Sequence, residues 1–297
     1  MKLRSPAPVL AAALIGISFA GPLVKLSTAD PLVIAAWRLG FSLIIVAAFL
    51  VGTGEWRQLH NLRLPEAALG AAAGVALALH FWAWNASIHL TTVAASVTLV
   101  NLQPAFVVAI SATFLRESPS RLQIMGILVA ILGAIIIASP DFRGGGPLFG
   151  GRAAVGNLLA VSAALTAAIY YSIGRRLRRT FGIWAYVAVA YGACFVALLV
   201  FASLSHTQLA PQPLRELSIF AALALGPMLL GHTGLNWALG YLPAYVVNLV
   251  VLGEPVGATL IAMFLPGIRQ VPSLITVIGG AIILTGVIIA AKDATRT

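Results

Sequence analysis

Residues 183–204 read IWAYVAVAYGACFVALLVFASL, an apolar run without a single charged side chain. An α-helix rises about 1.5 Å per residue, so a run of this length crosses the roughly 30 Å hydrocarbon core of a bilayer. The run lacks the strict alternation of polar and apolar residues that marks a strand of an outer-membrane barrel. It therefore predicts a transmembrane helix.

Similar runs recur along the whole chain, and the composition agrees with them. Of 297 residues, 60% are hydrophobic and 9% are charged, whereas about 25% are charged in a soluble domain. The first run resembles a signal peptide, but it continues past Ala20 to Leu26, which favours a helix. We predict an all-α integral membrane protein with ten transmembrane helices near residues 7–27, 31–52, 66–88, 92–115, 121–139, 153–174, 183–204, 216–240, 243–265 and 271–291.

The basic residues are distributed unevenly between the two sides that ten spans define. Of the 18 Lys and Arg residues, twelve fall in loops on the side of the termini and four on the opposite side, while Lys25 and Arg38 lie within spans. The positive-inside rule then places both termini in the cytoplasm, and we expect the cytoplasmic (inner) membrane. The net charge of +10 is scattered over short loops, which argues against nucleic acid as a partner.

The two halves of the chain, 1–145 and 146–297, resemble each other at a shift of 151 residues. Each half holds five predicted helices, so the second half enters the membrane from the opposite side. Such an inverted repeat predicts a substrate site near mid-membrane, where the halves meet. The glycines on the fifth and tenth helices predict close helix packing. The matching residues are Asn85 with Asn236, Pro104 with Pro255 and, after a two-residue insertion, Gly126 with Gly279 and Gly133 with Gly286.

Several motifs stand out beside these matches. They are Arg38 in the second helix, NLQP at 101–104, FLRESP at 114–119, EPVGA at 254–258 and GGAIILTG at 279–286. Together they resemble the EamA-type permeases of the drug/metabolite transporter (DMT) superfamily over nearly the whole chain. The resemblance implies a transporter with two five-helix repeats, in a family that mostly exports small metabolites, amino acids or drugs. Residues 265–267 depart from the family pattern, because they read Leu-Pro-Gly where an acid is usual.

Glu254 is the only acid deep inside a predicted span, where a charge costs on the order of 3 kcal/mol. It precedes Pro255, and its repeat equivalent Gln103 precedes Pro104. Each proline lacks a backbone N–H and is predicted to kink its helix. A carboxyl group beside a freed carbonyl predicts a site for a proton, a cation or a substrate ammonium group. The alternative is a neutral Glu254 that only braces the kink.

Three other polar residues within predicted spans are candidates for the site. Asn85 and Asn236 are repeat-equivalent amides, which predict either a pair that lines the cavity or hydrogen bonds between helices. Arg38 keeps its charge and therefore needs a partner or a water-filled cavity. We expect a structural ion pair for Arg38 first, and a contact to an anionic substrate group second.

Histidines and tryptophans recur at helical spacing near both amides. His80 and Trp84 are four residues apart, so they share one helix face, and His232 and Trp237 flank Asn236 in the other half. Imidazole, amide and indole groups suit a solute that carries an amine or a ring. The alternatives are buried histidines with satisfied hydrogen bonds and tryptophans that face lipid.

These features predict a secondary transporter that exports small metabolites by alternating access, with protons as a coupling ion at Glu254. A channel and a lipid-head-group flippase are the alternatives. A membrane enzyme is disfavoured, because the sequence has no HExxH motif, GxSxG motif or glycine-rich phosphate loop. We expect no cofactor and no metal centre, since the single cysteine and five histidines lack ligand spacing. The expected partners are a small-molecule substrate and membrane lipids, and the expected state is a monomer or homodimer.

Overall fold

A computed structural model of the chain describes residues 6–91, 96, 99–117, 119–143, 151–265 and 273–294. Its regular structure there is helical. Beside a short helix at Trp56–His60, the helices are α1 Ala7–Leu26, α2 Pro31–Gly52, α3 Leu64–Leu90, α4 Gln103–Leu115, α5 Arg121–Arg143, α6 Gly151–Leu177, α7 Ile183–Leu204, α8 Leu214–Ala238, α9 Ala244–Phe264 and α10 Leu274–Ala294.

Seven of these helices, α1 to α3 and α6 to α9, are long and apolar enough to cross a membrane. The apolar parts of the other three, Gln103–Leu115, Arg121–Ile136 and Val277–Ala290, are shorter. They fall within the remaining predicted spans. The prediction of one continuous helix at 92–115 is wrong, because the described part of that segment is interrupted by a turn at Asn101 and Leu102.

Polar residues at the helix starts explain why these apolar segments begin where they do. Asp30 precedes Pro31, and its Oδ1 accepts a hydrogen bond from the backbone N–H of Leu32 at 2.8 Å. Glu66 Oε2 likewise accepts from the backbone N–H of Arg63 at 3.0 Å, just before α3. Such caps satisfy the N–H groups that a first helical turn leaves without partners.

The two halves share one unusual backbone feature. A two-residue turn precedes Gln103 in the first half, and the equivalent turn at Leu252 and Gly253 interrupts α9 just before Glu254. Pro104 and Pro255 therefore stand in the first turn of the helical segments that follow. The prediction that these prolines kink continuous helices is corrected, because a first turn has no partner for the missing N–H. The break lies before the proline rather than after it.

Close glycine contacts join the last helices of the two halves. A Cβ added at Gly126 would lie 2.6 Å from the carbonyl oxygen of Gly286, and one added at Gly133 would lie 2.6 Å from that of Gly279. The backbones of α5 and α10 thus touch at the four glycines that the repeat singled out. Small residues allow such an approach without a clash.

The centre of the bundle is formed where α3 packs against α6 and α7. Its fully buried side chains include Leu77, Phe81, Tyr191 and Leu198. Toward the outside, Leu158, Leu204 and Phe264 are 68%, 75% and 75% exposed. Water-soluble proteins rarely leave wide apolar surfaces uncovered. This outer surface is suited to lipid.

Candidate functional site

A cavity lies among α1, α2, α3, α4, α6, α8 and α9, where side chains from both halves meet. The space between these side chains that no protein atom fills is about 510 Å³, including the part that is open to the outside. Six of the nine substrate or coupling candidates line it: Arg38, His80, Trp84, Gln103, His232 and Glu254. The structure therefore brings together polar residues that are far apart in the sequence.

The two helix breaks supply the cavity with a carboxyl group and an amide. Glu254 is half-buried, and its carboxylate forms no ion pair with another described residue. Gln103 is buried, and its Nε2 donates to Oδ1 of Asn248. The Nδ2 of Asn248 in turn donates to the Ala244 carbonyl at 2.9 Å. The amide is thus fixed between the halves, while the carboxyl group faces the cavity unpaired.

Arg38 places a positive charge in the same cavity and is only 1% exposed. Its Cζ lies 3.9 Å from the ring centroid of Phe81, and its Nη2 donates to the sulfur of Met228 at 3.7 Å. Nε and Nη1 have no hydrogen-bond partner among the described residues. The expected structural ion pair is not found, since no described acid lies within 4.0 Å of the guanidinium.

The two candidate histidines approach each other across the halves. Their ring centroids are 6.4 Å apart, and each ring also packs against Phe81. Nδ1 of His80 lies 2.9 Å from the carbonyl of Ala163, so a neutral His80 ring carries its proton on Nδ1. Nδ1 of His232 lies 2.9 Å from the hydroxyl of Tyr171. One nitrogen on each ring is therefore engaged by protein.

The comparisons with known proteins agree with this architecture. The model of the EamA-like transporter family matches residues 7–139 and 154–291. The chain belongs to the EamA-like transporter family. The resemblance to the EamA-type DMT permeases is thereby confirmed, and the chain is a member of a family of membrane transporters.

Two similar proteins support the assignment of this EamA-like transporter. A curated protein of Archaeoglobus fulgidus, named "Uncharacterized transporter", is 25% identical over 164 residues, which is 54% of this chain. The match spans about half the length of that relative, also 54%. A solved crystal structure superposes on this chain with a TM-score of 0.78 at 20% sequence identity, and the match covers 98% of each of the two chains. This second likeness concerns the fold alone.

The repeat-equivalent amides of the EamA-like transporter do not line the cavity. Nδ2 of Asn85 donates to the carbonyl of Pro31 at 3.2 Å, which ties α3 to α2. Nδ2 of Asn236 donates to the hydroxyl of Tyr170, which ties α8 to α6. The structure places both in helix contacts, the second of the two arrangements expected for them. Asn236 shares its helix face with His232 but lies one turn nearer the C-terminal end of α8 and is not among the residues that line the cavity.

The tryptophans of the EamA-like transporter also separate. Trp84 is 5% exposed, lines the cavity and leaves its Nε1 without a hydrogen-bond partner among the described residues. Trp237 lies outside the cavity and packs on Tyr241, with ring centroids 4.5 Å apart. The four-residue spacing places Trp84 on the same side of α3 as His80. Trp237, like Asn236, lies near the end of α8 and outside the cavity.

Sequence reasoning missed several residues of this site. Tyr171, Phe81 and Asn101 line the cavity, and Asn248 holds Gln103 from behind. An aromatic residue within an apolar span carries little signal of its own. Asn101 and Asn248 offered a clearer one, because each is an amide inside a predicted span.

Polar clusters join the halves of the EamA-like transporter at both ends of the cavity. At the end where α4 finishes, Glu117 Oε1 pairs with Arg175 Nε at 2.8 Å and Arg179 Nη2 at 2.6 Å. Arg175 also donates to the carbonyl of Leu239 at 2.7 Å. At the opposite end, Glu216 accepts from Ser27 Oγ at 2.5 Å. Each cluster links helices of the first half to helices of the second.

Proposed function

We propose that all ten helices cross the cytoplasmic (inner) membrane as two inverted five-helix repeats, 1–145 and 146–297, with both termini in the cytoplasm. Three observations support this arrangement. The ten helices alternate with short connections, the basic residues favour one side, and the family model matches residues 7–139 and 154–291. An odd number of spans in each repeat inverts the second repeat relative to the first.

The transporter moves small solutes, of the amino-acid, amine or drug-like kind, by alternating access, with export as its direction. The observation that carries this proposal is the cavity between the halves, which is lined by charged, amide, imidazole and indole groups. Carriers of inverted-repeat architecture bind their substrates at such a midplane junction.

The clusters at the two ends support alternating access. Glu117 of the first half accepts from the backbone N–H of Ala244 at the start of α9, and its partner Arg175 donates to the carbonyl of Leu239 just after α8. Glu216 of α8 accepts from Ser27, which follows α1. For the cavity to open toward one side, the cluster at that side has to separate while the other remains closed. Rocking of one repeat against the other exchanges these two arrangements.

Glu254 is the proposed coupling group. It is an acid at mid-span that faces the cavity and has no described ion-pair partner, so it is available both to take up a proton and to pair with a cationic group of a solute. A carboxyl group that alternately meets each side can exchange a proton for a solute. Glu254→Gln keeps the shape and removes the charge, and it therefore separates coupling from binding.

The test is counterflow in proteoliposomes that contain the purified protein. Liposomes are loaded with one unlabelled solute from a panel of amino acids, amines and drug-like cations, and uptake of the same labelled solute is followed. We expect uptake above that of empty liposomes for at least one class. Ion currents far above carrier turnover without counterflow would establish a channel instead, and exchange of labelled phospholipid alone would establish a flippase.

A further inference from the structure

The guanidinium of Arg38 is buried, charged and incompletely bound. Five N–H donors belong to this group. Nη2 reaches only the sulfur of Met228, at 3.7 Å, while the N–H of Nε and the two of Nη1 have no partner among the described residues. Buried polar groups are nearly always hydrogen-bonded, so unpaired donors on a side chain that is 1% exposed require an explanation.

The surroundings hold the guanidinium in place without neutralising it. Its Cζ lies 3.9 Å from the centroid of Phe81, which supports the plane of the group from one side. The ring of Phe81 is itself packed against His80 and His232. Glu254 faces the same cavity from α9 but lies farther than 4.0 Å from the guanidinium. The unpaired donors therefore belong to a side chain that lines an open space.

We propose that Arg38 is an oxyanion subsite and that the transported solute carries a carboxylate, which this guanidinium binds. The inference rests on the proposed transport function and names the chemical group that the cavity selects. Guanidinium groups bind carboxylates through short, charge-assisted hydrogen bonds. A bound carboxylate supplies acceptors for the unpaired Nε and Nη1 donors and an ion-pair partner within hydrogen-bond distance. Trp84 and the two histidines are left to contact the remainder of the solute.

The test compares matched solutes that differ only at the carboxylate. Phenylalanine, phenylalaninamide and phenethylamine form one set, and leucine, leucinamide and isopentylamine form another. Each is added at millimolar concentration to the purified protein, and stabilisation against heat is converted into an apparent Kd. We expect the acids to bind at least about tenfold more tightly than their amides, since the amide loses a charge-assisted bond.

Two variants of Arg38 and one matched control locate the effect. Arg38→Gln should bring the ratio of acid to amide affinity close to one, and Arg38→Lys should retain part of it. The control is Arg178→Gln, because Arg178 is also buried but donates to the backbone carbonyls of Asn236 and Phe181 and does not line the cavity. This control should keep the full preference for the acid. The ratio of acid to amide affinity is measured within one variant, so it does not depend on how stable that variant is.

Equal or absent stabilisation by acids and amides in the unaltered protein would overturn the subsite, and so would a full acid preference in Arg38→Gln. The first comparison needs no variant, so it stands even if Arg38→Gln fails to fold. Counterflow of amides or amines without preference for acids would overturn the subsite and leave the transport function intact. Absence of counterflow for every solute would instead count against transport itself.

Discussion

The contact between α5 and α10 allows one prediction that needs no knowledge of the substrate. In Gly126→Ala the new Cβ would lie 2.6 Å from the Gly286 carbonyl oxygen and 2.7 Å from the backbone nitrogen of Ala290. Ordinary contact begins near 3.4 Å, so the helices must separate by about 0.8 Å. A gap of about 0.5–1 Å forfeits a quarter to a half of the dispersion attraction of each contact it opens.

We therefore expect Gly126→Ala to lower the free energy of unfolding by about 1–3 kcal/mol, the usual cost of overpacking. This should lower the apparent melting temperature in detergent by several degrees. Gly286→Ala should behave alike, because its Cβ would lie 2.5 Å from the Gly126 carbonyl oxygen. The gain of about 1 kcal/mol that alanine brings to a helix offsets part of this cost, so the measured net loss should lie toward the lower end of that range.

The matched control is Gly280→Ala on the same helix α10. Its added Cβ would meet only Cγ2 of Val256, at an ordinary 3.5 Å. The control should therefore be neutral or slightly stabilising, since only the helix propensity changes. If Gly126→Ala and Gly286→Ala melt at the temperature of Gly280→Ala, the close packing of these two helices is refuted.

Four further variants test other parts of the structure. Glu254→Gln should abolish pH-driven transport in proteoliposomes while counterflow persists, and full pH-driven transport in that variant would exclude Glu254 as the coupling group. Asn85→Ala and Asn236→Ala should each lower stability by about 0.6 kcal/mol, and at most about 1.7 kcal/mol, as for hydrogen bonds between membrane helices; a changed solute affinity at normal stability would place them in the site after all. Glu117→Gln removes the carboxylate from two ion pairs. A cysteine engineered at the adjoining end of the cavity should therefore react faster with a thiol-specific probe in this variant. An unchanged labelling rate would show that this cluster does not restrain opening.

Apolar run length predicts most of this fold. The boundaries of α2 and α7 agree with the predicted spans 31–52 and 183–204, because proline, glycine or polar residues follow and precede the runs directly. The breaks before Gln103 and Glu254 were not predicted. A turn inside an apolar run leaves the composition unchanged, and a proline predicts a missing backbone hydrogen bond on its N-terminal side without telling whether the helix bends there or stops.

The site was predictable where chemistry and helical spacing agreed. His80 and Trp84 lie on one turn of a regular helix, so their shared face followed from the spacing. Arg38 shows the limit of such reasoning, since a sequence contains no distances between helices and cannot reveal whether an acid lies within reach. Asn236 shows another limit, because a shared face does not fix how far along the helix the cavity extends.

The matching breaks in α4 and α9 carry an evolutionary consequence. The same two-residue turn followed by a helix start occurs in both halves, and the first helical residue is Gln103 in one half and Glu254 in the other. Codons for glutamine and glutamate differ by a single base, so exchanging Gln103 and Glu254 is a small genetic step, although a carboxylate at 103 requires the amide of Asn248 to turn its NH2 group toward it. Such an exchange moves the ionisable group from one half of the protein to the other while the two backbone breaks keep their places.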